Sequence, residues 1–130
     1  MKTFTHNEIL FAIYSLFAIL VACYVMCGYL GKRVRISKEF YKPHYMMAIL
    51  TIVVTFVTSY VASMLASIDP VSRERGPAYY IHVSSGILFT LAIAAMLVVN
   101  GRAYPKVHKR LVKGAHILLA TMIVSSVFFA

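Results

Sequence analysis

Five histidines are the residues in this sequence that could bind a metal centre, and their positions are regular. His6, His44, His82, His108 and His116 each lie at or near the start of a long apolar run. Neutral imidazole is the commonest metal ligand in proteins, and a b-type haem takes two axial ligands at matched depth. The histidine spacing therefore indicates axial ligation of haem within an apolar environment.

Motifs for other kinds of catalysis are absent from the sequence. There is no HExxH, CxxC or CxxCH motif, no glycine-rich phosphate loop and no nucleophile elbow. The chain has only four carboxylate side chains, and they are scattered, which disfavours hydrolytic chemistry. We therefore expect an electron-transfer component rather than a stand-alone enzyme.

Composition points to a membrane protein. Of the 130 residues, 61% are hydrophobic and 13% are charged, with a net charge of +9. A soluble domain is usually about 45–50% apolar and about 25% charged. A disordered chain, an ordinary soluble enzyme and a disulfide-rich secreted module are thereby excluded. Nucleic-acid binding is also excluded, because the basic residues form two short clusters between apolar runs.

Four runs without charged residues, 17 to 26 residues long, are long enough or nearly long enough to cross a membrane. A helix needs about 20 apolar residues for this, and flanking lysines and arginines can extend the shortest run by reaching the interface. The sequence therefore predicts an all-α fold, an integral membrane up-down four-helix bundle that forms a single transmembrane domain over residues 1–130. The expected helices cover about 7–31, 43–68, 77–101 and 106–129.

The charges of the connecting segments predict the orientation. The first and third connections carry five lysines or arginines each, counting those that run into the fourth span. In the second, Arg73 and Arg75 are balanced by Asp69 and Glu74. Because positive loops stay in the cytoplasm, both termini are expected outside. The expected location is the bacterial or archaeal cytoplasmic membrane, as a multi-pass protein.

The histidines then fall on two sides of the membrane. His6 and His82 belong to the outer half, and His44, His108 and His116 to the inner half. Alternate helices of an up-down bundle are diagonal partners, so histidines on the same side can face each other across the core. We therefore expect one or two haem b groups. An inner haem would be ligated by His44 with His108 or His116, and an outer one by His82 with a group of helix one, such as His6.

The helix faces refine this expectation. The His44 face of helix two is small and weakly polar, a pattern that packs against helices or makes room for a cofactor. It comprises Ala48, Thr51, Thr55, Thr58, Ala62 and Ala66. The His82 face comprises Ser85, Gly86, Phe89, Ile93, Met96 and Asn100. In helix one, the predicted inward stripe is small and carries one carboxylate. Its members are Glu8, Ala12, Ser15, Ala22 and Met26.

Helix four offers two alternatives. His108 lies on its apolar face, opposite a basic stripe, whereas His116 follows the last lysine much as His44 does in helix two. The two histidines are eight residues apart, about 12 Å along a helix, so they are not expected to bind one iron together. Either can be the inner ligand.

Short motifs are spread over nearly the whole chain, from Asn7 to about Ser126. They are Asn7, Gly28-Tyr29, His44, Ser59-Tyr60, His82 and His108-Lys109-Arg110. In these residues the chain resembles a family of small four-helix bacterial membrane proteins related to the CtaM-type factors, which are needed for maturing haem-copper terminal oxidases. This resemblance implies haem handling or assembly of a terminal oxidase.

The histidine layout is also similar to that of the dihaem transmembrane cytochromes b, which pass electrons across a membrane. That similarity implies one-electron transfer in a respiratory or quinone-linked chain. The expected partners are the lipid bilayer, a quinone, and a larger respiratory complex or a second copy of the chain. The remaining alternative is a cofactor-free accessory subunit of a membrane complex.

Overall fold

The computed structural model describes residues 5–68, 76–99 and 101–129. Within these ranges the fold is all-α, as predicted, with no strand. The chain divides into two compact units, residues 1–72 and 73–130, and each is described by itself. The helices are α1 (His6–Val34), a short 3₁₀ turn (Lys38–Phe40), α2 (Tyr41–Ile68), α3 (Pro77–Val98) and α4 (Pro105–Phe129).

All four α-helices are long and apolar enough to cross a membrane. Many of their large apolar side chains point outward, including Phe11, Val98, Val127 and Phe128, each at least 75% exposed. Contiguous apolar surface of this kind is uncommon on a soluble monomer but is the normal lipid-facing surface of a membrane helix. The protein is a multi-pass membrane protein.

The first unit is an antiparallel hairpin of α1 and α2. A capping box begins α1: the Glu8 amide donates to Thr5 Oγ1, and the Thr5 amide donates to the Glu8 carboxylate at 2.9 Å. The helix continues to Val34, three residues beyond the predicted end. Its last turn holds Lys32 and Arg33, whose charges interact favourably with the negative end of the helix dipole.

The buried side chains of this hairpin confirm the three threonines of the predicted α2 face, whereas Ala62 of that face is exposed and the side chain of Ala66 lies outside the described residues. Thr51, Thr55 and Thr58 are at most 8% exposed, and each hydroxyl donates to the carbonyl of the residue four positions earlier. The predicted stripe of α1 is wrong: Ala22 is exposed and Met26 is 47% exposed. The buried described residues of α1 are instead the larger Ile9 and Leu20.

The second unit is an antiparallel hairpin of α3 and α4. The buried residues of α3 are Ser85, Phe89 and Ile93, and they belong to the predicted His82 face. On α4, Ala115, Leu119 and Met122 of the predicted apolar face are buried, and Ser125, which was not predicted, is buried as well. The α3 helix ends at Val98, earlier than expected, and a turn over residues 101–103 leads towards α4.

Candidate functional site

Three of the predicted histidines make the same type of hydrogen bond. His44 lies in the first turn of α2, half-buried against the end of α1. Its Nδ1 is 2.9 Å from the backbone carbonyl oxygen of Cys27 on α1. The ring is therefore oriented by the backbone of the neighbouring helix.

His82 has an equivalent environment in the second unit. It lies in the second turn of α3, and its Nδ1 is 2.9 Å from the carbonyl oxygen of Met122 near the end of α4. Ser125 Oγ is 3.3 Å from the same nitrogen and donates to the same Met122 carbonyl at 3.1 Å. This imidazole is thus positioned by a backbone group and a buried hydroxyl of the partner helix.

His108 lies at the other end of that hairpin, in the first turn of α4. Its Nδ1 is 3.3 Å from the carbonyl oxygen of Val99, the residue that terminates α3. The last carbonyls of a helix lack intrahelical partners, so this hydrogen bond also caps α3. The structure therefore places His82 and His108 at opposite ends of one hairpin, in agreement with their predicted separation into two membrane halves.

These hydrogen bonds set the tautomer of the rings. A neutral imidazole that donates its Nδ1–H to a carbonyl carries its lone pair on Nε2. Metal-ligating histidines usually donate their other ring N–H to a carbonyl or carboxylate in this way, which fixes the ring and raises its basicity. His44, His82 and His108 are therefore held in the way that is usual for metal-ligating histidines, and imidazole is an axial ligand type that haem iron accepts.

Glycines lie against two of the three rings. A Cβ atom at Gly31 would be 3.0 Å from His44 Cε1 and 3.6 Å from its Nε2, and one at Gly101 would be 3.3 Å from His108 Cδ2. Only glycine leaves the Cε1–Nδ1 edge of His44 uncrowded at position 31. The sequence analysis missed this role, although a glycine precedes a histidine by 13 residues in the first hairpin and by seven in the second.

Replacing Gly31 with alanine should displace the imidazole ring of His44. The new methyl group must displace the ring, and we expect the free energy of unfolding to fall by about 1–3 kcal/mol, as for other overpacked sites. The matched control is Gly28→Ala in the same helix, where an added Cβ meets no atom within 4 Å. That control should be neutral or stabilising, by up to about 1 kcal/mol. Thermal unfolding in detergent measures the stability of both variants. Equal melting temperatures of Gly31→Ala and Gly28→Ala would contradict a tight contact between position 31 and His44.

The cysteines of α1 lie beside the His44 site. Both Cys23 and Cys27 are free thiols. Cys27 Sγ is 3.7 Å from His44 Nδ1, on the side of the ring that already meets the Cys27 carbonyl. The thiol thus contributes to the packing around the imidazole, as expected for a small apolar side chain.

The other two predicted histidines differ from these three. His116 is an exposed residue in the middle of α4, two turns after His108. His6 is the first residue of α1, and the prediction for its imidazole lies outside the part of the chain whose side chains are described. Among the described residues, no three His, Cys, Asp or Glu side chains form a group that could hold a metal ion. The expected pairing of His44 with His108 or His116 stays a prediction.

Comparison with known proteins assigns the chain to no family. No protein-family model, no curated protein and no solved structure matches the chain.

Proposed function

We propose that this protein is a membrane-embedded b-type haem protein that carries single electrons in a respiratory or quinone-linked chain. The observation that supports the proposal is the repeated donation of Nδ1–H from an imidazole to a backbone carbonyl, at His44, His82 and His108. A bound haem would supply a one-electron couple. A haem takes two axial ligands, and the candidates are His44, His82 and His108, with His116 and His6 as the alternatives predicted from the sequence.

The surrounding residues have defined roles in this proposal. The carbonyls of Cys27, Met122 and Val99 keep the rings in one tautomer and one orientation. The glycine at position 31 keeps side-chain atoms away from His44. The apolar helix surfaces exclude water, which favours electron transfer over side reactions of a reduced metal. A quinone and a larger respiratory complex are the proposed redox partners.

The orientation is part of the same proposal. The two basic segments are the first and third connections between the spans. We place both on the cytoplasmic side of a bacterial or archaeal cytoplasmic membrane, because positive segments are retained there. A periplasmic-reporter fusion at each terminus checks this: both fusions should be active outside, and an active cytoplasmic reporter at either terminus would reverse the assignment.

A dithionite-reduced minus oxidised visible spectrum of the purified protein tests the proposal. The chain, extracted in mild detergent, should show a sharp α band of b type, with haem that remains bound through gel filtration. Haem below one equivalent that washes out would indicate haem handling or oxidase assembly, the role implied by the CtaM-type resemblance. The absence of a Soret band, even after haem is added back, would contradict both forms of the proposal.

A second candidate follows from the same hydrogen bonds. Each of them also joins the ends of two helices, and interhelical hydrogen bonds stabilise membrane helix pairs by about 0.6 kcal/mol on average. Three histidines with only this packing role would fit a cofactor-free accessory subunit of a membrane complex. In that case replacing these histidines with alanine would lower the stability of the protein, and the visible spectrum would show no haem before or after the replacement.

A further inference from the structure

The first two turns of α4 carry a cluster of four cations. Lys106, Lys109, Arg110 and Lys113 are all exposed and line a surface recess of about 220 Å³. Their spacing of three, four and seven residues places them on one side of the helix, away from the buried Ala115 and Leu119. A water molecule occupies about 30 Å³, so the recess has room for a group of phosphate size.

The positive charge of this cluster is not balanced by any side chain of residues 76–130. All four acidic side chains of the protein precede residue 75, so residues 76–130 contain no carboxylate side chain. Like charges three and four positions apart destabilise a helix. The helix dipole adds to the repulsion, because the cations lie at the positive end of α4. An anion in the recess would relieve all of these unfavourable interactions.

The basic segment of the first unit differs in each of these respects. Lys32 and Arg33 lie at the C-terminal end of α1, where the dipole favours cations. The Arg33 guanidinium is 5.6 Å from the centre of the Tyr29 ring and 5.4 Å from that of Phe40, within range of cation–π attraction. Glu39 also lies in that segment. Although Lys42 lies in the first turn of α2, the need for an external anion is therefore greater at α4 than in the first unit.

The position of the recess identifies the anion. The four cations directly precede the charge-free run of residues 114–130, so they lie where a membrane helix leaves the hydrocarbon core. Lipid phosphates occupy this level of the bilayer, and basic clusters beside membrane helices bind anionic headgroups. We propose that Lys106, Lys109, Arg110 and Lys113 form a binding site for the headgroup of an anionic phospholipid. The site is independent of the proposed haem function.

Native mass spectrometry of the full chain tests the site. The protein is released from micelles containing equal amounts of phosphatidylglycerol and phosphatidylcholine with identical acyl chains. We expect preferential retention of phosphatidylglycerol. The variant Lys109→Gln with Arg110→Gln should weaken this retention by about 30-fold, since each cation near an anionic surface contributes about fivefold.

The matched control removes the same charge from the first unit, by Arg35→Gln with Lys38→Gln. Both of these residues are exposed. The control should retain phosphatidylglycerol to within about twofold of the unmodified protein, and circular dichroism should show equal helix content in both variants. Equal retention of the two lipids, or equal losses in the α4 variant and the control, would overturn the proposal. Binding of an acidic protein to the cluster without any headgroup preference would also overturn it.

Discussion

Replacing His44 with alanine should remove the low-spin spectrum of the haem that we propose this residue ligates. Loss of one axial imidazole leaves a five-coordinate iron, so we expect conversion to a high-spin spectrum and a fall in haem retention of at least about tenfold. Even a change that only disturbs the orientation of a ligand costs about 10–100-fold in metal affinity. The measurement is the visible spectrum and the haem content of the purified variant.

Two further observations separate ligation from a structural role of His44. Added imidazole should restore the low-spin spectrum of His44→Ala, because it can occupy the vacated position. His44→Met keeps a ligand of a different kind, and the midpoint potential should rise, since methionine ligation raises the potential of haem iron. A wild-type spectrum in correctly folded His44→Ala would contradict the assignment.

The second large effect concerns the choice between the two histidines of α4. His108→Ala should lose or convert the inner haem signal, whereas His116→Ala should keep it to within about twofold. The reason is the environment: His108 is half-buried, with Nδ1 oriented towards the Val99 carbonyl, and His116 is exposed. Loss of the hydrogen bond that orients a ligating histidine is by itself enough to reduce metal affinity by about tenfold or more.

The pair of alanine variants is internally controlled, because both remove one imidazole from the same helix. His108→Ala also removes the hydrogen bond that caps α3, so its helix content and thermal stability must be recorded beside the spectrum. An inner haem signal that survives in His108→Ala and disappears in His116→Ala would reverse the assignment. An inner haem signal that survives in both variants would show that neither histidine of α4 is a ligand.

The sequence is sufficient to predict the helices and most of their buried faces. Run length and charge position indicate four spans, and the faces of α2, α3 and α4 follow from the 3.6-residue period. Thr51 and Phe89 are both predicted inward and both buried. The ends of α1 and α3 differ from the prediction by three residues, because charge and turn geometry, not hydropathy, determine where a helix stops.

Other features depend on contacts that a single sequence does not contain. The buried face of α1 differs from the predicted stripe, because Leu20 is buried and Met26 is exposed. The hydrogen-bond partners of the histidines are backbone carbonyls, which every residue has. Their identity follows only from the register of the paired helices. The close approach of Gly31 to His44 is likewise a consequence of that register.

The most direct test of the central claim is the identity of the axial ligands in the oxidised protein. Near-infrared magnetic circular dichroism and electron paramagnetic resonance of the purified chain distinguish two imidazoles from other ligand pairs. We predict low-spin ferric haem with two imidazole ligands, and loss of that signature when His44 is replaced. A protein with no haem, or with haem whose signals are unchanged in the alanine variants of His44, His82 and His108, would contradict the claim.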